Sequence, residues 1–142
     1  MPLDLKLAMI AVFAQVLLTF YAAVRMGMVR VAAIKEHKIK LGDIALATSS
    51  YPDEARKHGN NLTNQFEFPI LLYAVVGFSI VLEAGSMLLS IACLGFVITR
   101  FWHRFVHVSS NNVTKRFKIF LLGITMLFVA WILLGLAILG LI

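Results

Sequence analysis

Residues 86–107 read SMLLSIACLGFVITRFWHRFVH. Their apolar part, Ser86–Thr99, is too short to cross a bilayer, because a helix needs about 20 residues to span the hydrocarbon. It reaches full length only by continuing through Arg100–His107, which places four ionisable groups near one end of a membrane helix. At about 100° per residue, with Arg100 at zero, Arg104 falls near ~40°, His107 near ~340° and His103 near ~300°. All four share an arc of roughly 100°, while Phe101, Trp102, Phe105 and Val106 fill the rest of the circumference. Ionisable residues in a span are costly and usually face a bundle interior or a water-filled cavity. The stripe is therefore expected to point inward, with the aromatics toward lipid or neighbouring helices. Snorkelling to headgroups accounts for either arginine taken alone, but four groups on one face point to a site. His103 and His107, one turn apart, could hold a metal. Two ligands without an acidic partner beside them are a weak signal for one, and no metal is expected.

Working outward, the whole chain is lipid-soluble in character. Of its 142 residues 61% are hydrophobic and 14% charged, against roughly 45–50% and ~25% in soluble domains. Three further apolar runs flank the first: Leu7–Val24, Phe68–Leu82 and Ile119–Ile142. The outer two suffice as spans, whereas Phe68–Leu82 needs the preceding Asn64-Gln65-Phe66-Glu67 to reach full length. The expectation is an all-α integral membrane protein, a four-transmembrane-helix bundle forming a single domain over 1–142. Its spans are expected at about 5–25, 62–82, 86–107 and 117–141. The first run exceeds a signal-peptide core, and Arg25 and Arg30 follow it as a stop-transfer pattern, so it reads as a retained span.

The net charge of +6 raises nucleic acid as a partner, but no basic run interleaved with aromatics lies outside the apolar segments, and no nucleic-acid partner is expected. The cations cluster instead beside the spans. Residues 25–63 hold Arg25, Arg30, Lys35, Lys38, Lys40, Arg56 and Lys57, and the third connection with its edges holds Arg100, Arg104, Lys115, Arg116 and Lys118. The turn around Glu83-Ala84-Gly85 has none. Both basic connections thus lie on one side, which the positive-inside rule makes cytoplasmic, with both termini opposite and membrane lipids as contacts. Ile34–Ala47 could form a short amphipathic surface helix, ahead of a turn at Tyr51-Pro52-Asp53. The single cysteine, Cys93, lies inside an apolar run and reads as a packing thiol.

Two more polar groups face the same end. Asn60, Asn64 and Glu67 fall within ~60° of one another on a helix. Asn64 and Glu67 also read as a capping box, with Asn64 as N-cap and Pro69 near the helix start. Lys115-Arg116 open the last span, where cations oppose the macrodipole. Headgroup contact explains them, and so does an anion held there. Together these residues describe a pocket with a carboxylate, an amide and several cations at the inner membrane boundary. It suits a small hydrophilic molecule meeting a lipophilic one from the bilayer.

At Asn64-Gln65-Phe66-Glu67-Phe68-Pro69, and at Arg100-Phe101-Trp102-His103 with His107, the sequence resembles the MAPEG family, the membrane-associated proteins in eicosanoid and glutathione metabolism. The spacing from Arg100 to Arg116 resembles the microsomal prostaglandin E synthase type. The resemblance implies a homotrimer of four-helix bundles, with sites between neighbouring subunits. It implies glutathione as co-substrate and a transferase or peroxidase acting on a lipophilic small molecule. By that analogy Asn64 and Glu67 hold the glutathione backbone, Arg100, His103 and His107 line or support the pocket, Arg25 reaches a glutathione carboxylate, and Arg116 is catalytic, stabilising the thiolate. The chain departs from the family pattern at Asn60 and Thr63, where an arginine is usual, and at His107, where a tyrosine is common, which resembles the bacterial-type relatives. The alternatives are a non-catalytic membrane protein of the same fold that binds a lipid or protein partner, and a small transporter using Glu67 as a proton-coupled carboxylate.

Overall fold

The computed structural model describes residues 1–45 and 48–142. Among them are five α-helices: α1 (Leu3–His37), α2 (Asp53–Thr63), α3 (Pro69–Val81), α4 (Met87–Val108) and α5 (Val113–Ile138), with a short 3-10 turn at Leu41–Ile44. Three of them, α1, α4 and α5, are long and apolar enough to cross a membrane, and α3 is apolar but shorter.

At 1.5 Å per residue α1 is about 52 Å long, well beyond a hydrocarbon core of ~30 Å. The helix runs on past Arg25 into the basic segment because nothing stops it before Lys38. There the backbone turns left-handed (φ 50°, ψ 40°), and the Lys38 N–H bonds back to the Ile34 carbonyl. The surface helix expected over Ile34–Ala47 is thus corrected: Ile34–His37 end α1, Leu41–Ile44 form the 3-10 turn, and Leu46 and Ala47 lie outside the described residues. The extension is held by a small cluster in which Ala33 packs on Tyr51 and Ala55. The Arg30 guanidinium also sits 5.0 Å over the Tyr51 ring.

A continuous helix over 62–82 does not form. Asn64 ends α2, its N–H reaching the Asn60 carbonyl. The chain then passes through i→i−3 bonds, from Gln65 N–H to the Leu62 carbonyl and from Phe66 N–H to the Thr63 carbonyl, both 2.9 Å. Pro69 has no N–H to give to the Gln65 carbonyl, so it cannot continue a helix begun earlier, but it fits the first position of α3. Asn64 is therefore the C-cap of α2 rather than the N-cap of α3, and Glu67 stands in the turn between them.

The helix α4 is the hub. Leu89, Cys93, Phe96 and Val97 are buried against Ala8 and Ala11 of α1, Leu72, Val75 and Val76 of α3, and Leu127, Ala130 and Leu134 of α5. Small residues let membrane helices approach closely, where close packing stands in for the hydrophobic effect. Ser90 donates to the Asp4 carbonyl at 2.6 Å and pins the start of α1 to α4. Outward faces carry large apolar side chains such as Phe13, Leu17, Phe20, Phe128 and Ile132, all exposed.

At Gly123 α5 lies tight against α4. A Cβ there would lie 2.4 Å from Thr99 Oγ1, and Thr99 cannot easily retreat because it is β-branched and its hydroxyl donates to the Phe96 carbonyl at 2.6 Å. Gly123→Ala is expected to destabilise the fold by about 1–3 kcal/mol. Gly77→Ala, where nothing lies within 4 Å, should leave stability unchanged or raise it slightly. Thermal unfolding of the two variants in one detergent checks the contrast.

Candidate functional site

The inward turn of the basic stripe is as expected. Arg100, His103, Arg104 and His107 are 3%, 4%, 5% and 1% exposed, against 47%, 55% and 69% for Phe101, Trp102 and Phe105. Val106, on the remaining part of the circumference, is buried at 7%.

A buried guanidinium costs several kcal/mol unless hydrogen-bonded, and the partners here come from the last turn of α2 and the connection that follows it. Arg100 donates to the Asn64 backbone carbonyl. Arg104 donates to the Asn61 side-chain oxygen, and its other flank lies 4.8 Å over the Tyr21 ring. Asn64 Nδ2 lies 3.5 Å from His107 Nδ1. From α1, Gln15 Nε2 donates to Gln65 Oε1 at 3.0 Å, while Gln65 Nε2 donates to the Asn61 carbonyl at 3.3 Å. Polar bonds from two helices thus fix a turn that has no regular secondary structure of its own.

That turn forms one wall of a cavity of about 250 Å³, lined by Asn64, Glu67, His103, Val113, Arg116, Phe117 and Phe120. Phe120 joins its walls, meeting the Phe68 ring edge-on at 5.3 Å and lying 6.2 Å from the His103 ring. Arg116 is held by Asn111 Oδ1, to which its Nη1 donates at 2.6 Å, while its buried Nε has no partner. Asn111 reaches that position through a left-handed backbone (φ 50°) at the end of α4, a conformation asparagine tolerates better than most residues.

Four of the sequence-selected residues, Asn64, Glu67, His103 and Arg116, therefore share one cavity. Arg100 and His107 lie behind it, each in contact with Asn64. Arg25 does not join them. It lines a different cleft of about 360 Å³ with Tyr21, Glu54, His58 and Arg104. The His103 and His107 rings meet edge-to-face, centroids 5.7 Å apart. Among the described residues no group of three or more His, Cys, Asp or Glu assembles for a metal.

Gln15, Asn61, Asn111, Phe117 and Phe120 also build the site, outside the motifs that mark it in the sequence. Gln15 carried a usable signal, since a lone amide inside an apolar span is expected to find a polar partner across the bundle. For Asn111 the only cue was its place in Ser109-Ser110-Asn111-Asn112, which marks a turn and says nothing about Arg116.

The model of the MAPEG family matches residues 8–136, nearly the whole chain. The chain belongs to the MAPEG family. No curated protein and no solved structure is matched. With three helices able to cross a bilayer, this MAPEG protein is an integral membrane protein. The matched range includes Asn64, Glu67, Arg100, His103 and Arg116, gathered at and behind the first cavity.

In the second cleft of this MAPEG protein, outside the apolar spans, His58 is buried with Nε2 3.4 Å from Glu54 Oε1 and Nδ1 unpartnered. Burial pushes its pKa below the ordinary 6.5, and Arg104 and Arg25 add to that, against the opposing pull of Glu54. The unfolded chain then takes up the proton first, so the stability that neutral His58 contributes is complete above pH ~6.5 and is lost as pH falls below it. Melting temperature measured from pH 8 to pH 5 should fall more steeply for wild type than for His58→Gln.

Proposed function

We propose that this chain is a glutathione-dependent transferase or peroxidase acting on a lipophilic substrate, working as a homotrimer of four-span subunits. The observation that carries the reading is the presence of Arg116 in one cavity with Asn64 and Glu67. That arrangement offers a cation for a sulfur and a carboxylate and amide for the polar ends of a peptide. In this reading the last residues of α2, the turn and α3 together make the second membrane crossing over about 62–82, because α3 at 13 residues is only about 20 Å long. The basic ends of the helices face the cytoplasm.

Glu67 takes the glutathione amino group and Asn64 its backbone. Arg100, His103 and His107 keep Asn64 and the cavity wall in place. The Arg116 guanidinium, with its Nε buried and unpartnered, favours thiolate over thiol. Thiolate is the nucleophile: it forms a C–S bond with an electrophilic carbon as the leaving group or a conjugated π bond takes the electron pair. Alternatively it attacks a peroxide oxygen, so that an S–O bond forms as the O–O bond breaks and the alkoxide is protonated. A second glutathione then displaces the sulfenic oxygen as water to give glutathione disulfide. Arg25, facing the other cleft of its own subunit, reaches a glutathione carboxylate only from a neighbouring copy, which is why the trimer belongs to the proposal. Phe117 and Phe120 present an apolar surface to the lipophilic partner.

A second reading, the same cavity binding a lipid or protein without turnover, is favoured by the neutral side chains Asn60 and Thr63 at positions where the family usually carries an arginine. Glutathione conjugation to a generic electrophile by detergent-purified protein separates the two. We expect turnover above background in wild type and a drop of at least tenfold in Arg116→Ala, with fold and oligomer retained. Absence of turnover in wild type, together with no rise in melting temperature on adding glutathione, would sink the glutathione reading and leave the binding protein.

A further inference from the structure

A groove of about 490 Å³ lies between α4 and α5. Trp102, Phe105 and Val106 form the α4 wall, and Lys115, Lys118 and Ile119 the α5 wall. It shares no residue with the cavity of Asn64, Glu67 and Arg116, so its chemistry is independent of whether glutathione binds there.

The two lysines have no acidic partner. Residues 84–142 contain no Asp and no Glu, and among the described residues the ion pairs are confined to α2. Both lysines stand in the first turns of α5, where a cation also opposes the helix macrodipole. Two exposed, uncompensated cations one turn apart on the groove wall call for an anion from outside the chain. Apart from Ser109 and Ser110 just after α4, the rest of the lining is apolar, and Trp102 and Phe105 are 55% and 69% exposed. A small soluble anion would satisfy the lysines and leave that surface bare. The complementary ligand has an anionic end and an apolar body.

We propose that this groove is a binding site for an anionic phospholipid, its phosphate between Lys115 and Lys118 and the start of an acyl chain against Trp102, Phe105 and Ile119. Position agrees with chemistry, because the groove lies where the basic start of α5 gives way to its apolar run from Ile119 onward, the level of the headgroups. Aromatic side chains with one wet edge settle at that level, and each lysine near an anionic membrane surface strengthens attraction about fivefold.

The test uses the full chain in a non-ionic detergent, titrated by native mass spectrometry with three probes. These are phosphatidylglycerol, phosphatidylcholine with the same acyl chains, and sn-glycerol 3-phosphate. Wild type should bind phosphatidylglycerol more tightly than either of the others. The Lys115→Gln, Lys118→Gln double variant should lose roughly thirtyfold in that affinity. Trp102→Ala should weaken phosphatidylglycerol several-fold without affecting any binding of glycerol phosphate. The proposal is overturned if phosphatidylcholine matches phosphatidylglycerol on wild type, since the lysines then select nothing. It is equally overturned if glycerol phosphate binds as tightly as the lipid, or if the double variant keeps wild-type affinity. Should the double variant fail to fold, the comparison of probes on wild type and on Trp102→Ala decides the matter.

Discussion

The structure turns on a charge problem. The chain from residue 84 to its end carries Arg100, Arg104, Lys115, Arg116 and Lys118 and not one carboxylate side chain. Two of these cations are then buried on α4, at 3% and 5% exposure. No side chain of their own half of the chain can neutralise them, so they must be solvated by something that crosses from the other half. What crosses is the end of α2 with the connection to α3, which offers the Asn64 carbonyl to Arg100 and the Asn61 amide oxygen to Arg104.

The same requirement shapes the turn. A continuous helix over 62–82 would have spent the Asn64 carbonyl on an N–H one turn further along. Ending α2 at Thr63 and starting α3 at Pro69 leaves that carbonyl free for Arg100. Gln65, turned inward, is then taken up by Gln15, and Glu67 is left in the cavity facing the start of α5. A proline that cannot extend a helix, a buried arginine and a buried amide pair thus reach one result. They hold a carboxylate and an amide on an irregular segment opposite Arg116, with aromatic rings between.

Much of this was legible in the sequence. The length shortfall of Ser86–Thr99 required the helix to continue through Arg100–His107, and the 100° period put the four ionisable groups on one face. Both inferences rest on geometry that lipid enforces. The break at 64–68 was not legible in that way. Asn-x-x-Glu before an apolar run is a helix start by local rules, and the same asparagine is equally good at a helix end. Only the tertiary demand of Arg100 distinguishes the two. The placement of Arg25 in a separate cleft with His58 and Glu54 depended on where α2 packs, and the pattern of α2 itself, Asp53–Thr63, is too polar and too short to announce that. The hold of Asn111 on Arg116 needs a left-handed residue at the end of α4, which no periodicity reveals.

The most direct test of this account is hydrogen–deuterium exchange of the 61–68 segment in wild type and in Arg100→Met, both in the same detergent. A buried cation replaced by an apolar chain of similar length need not cost overall stability. Global unfolding should therefore change little, while the amides of 61–68 lose protection relative to those of α5. Unchanged protection across that segment, with Arg100 gone, would contradict the claim that the buried arginine of α4 is what organises the site.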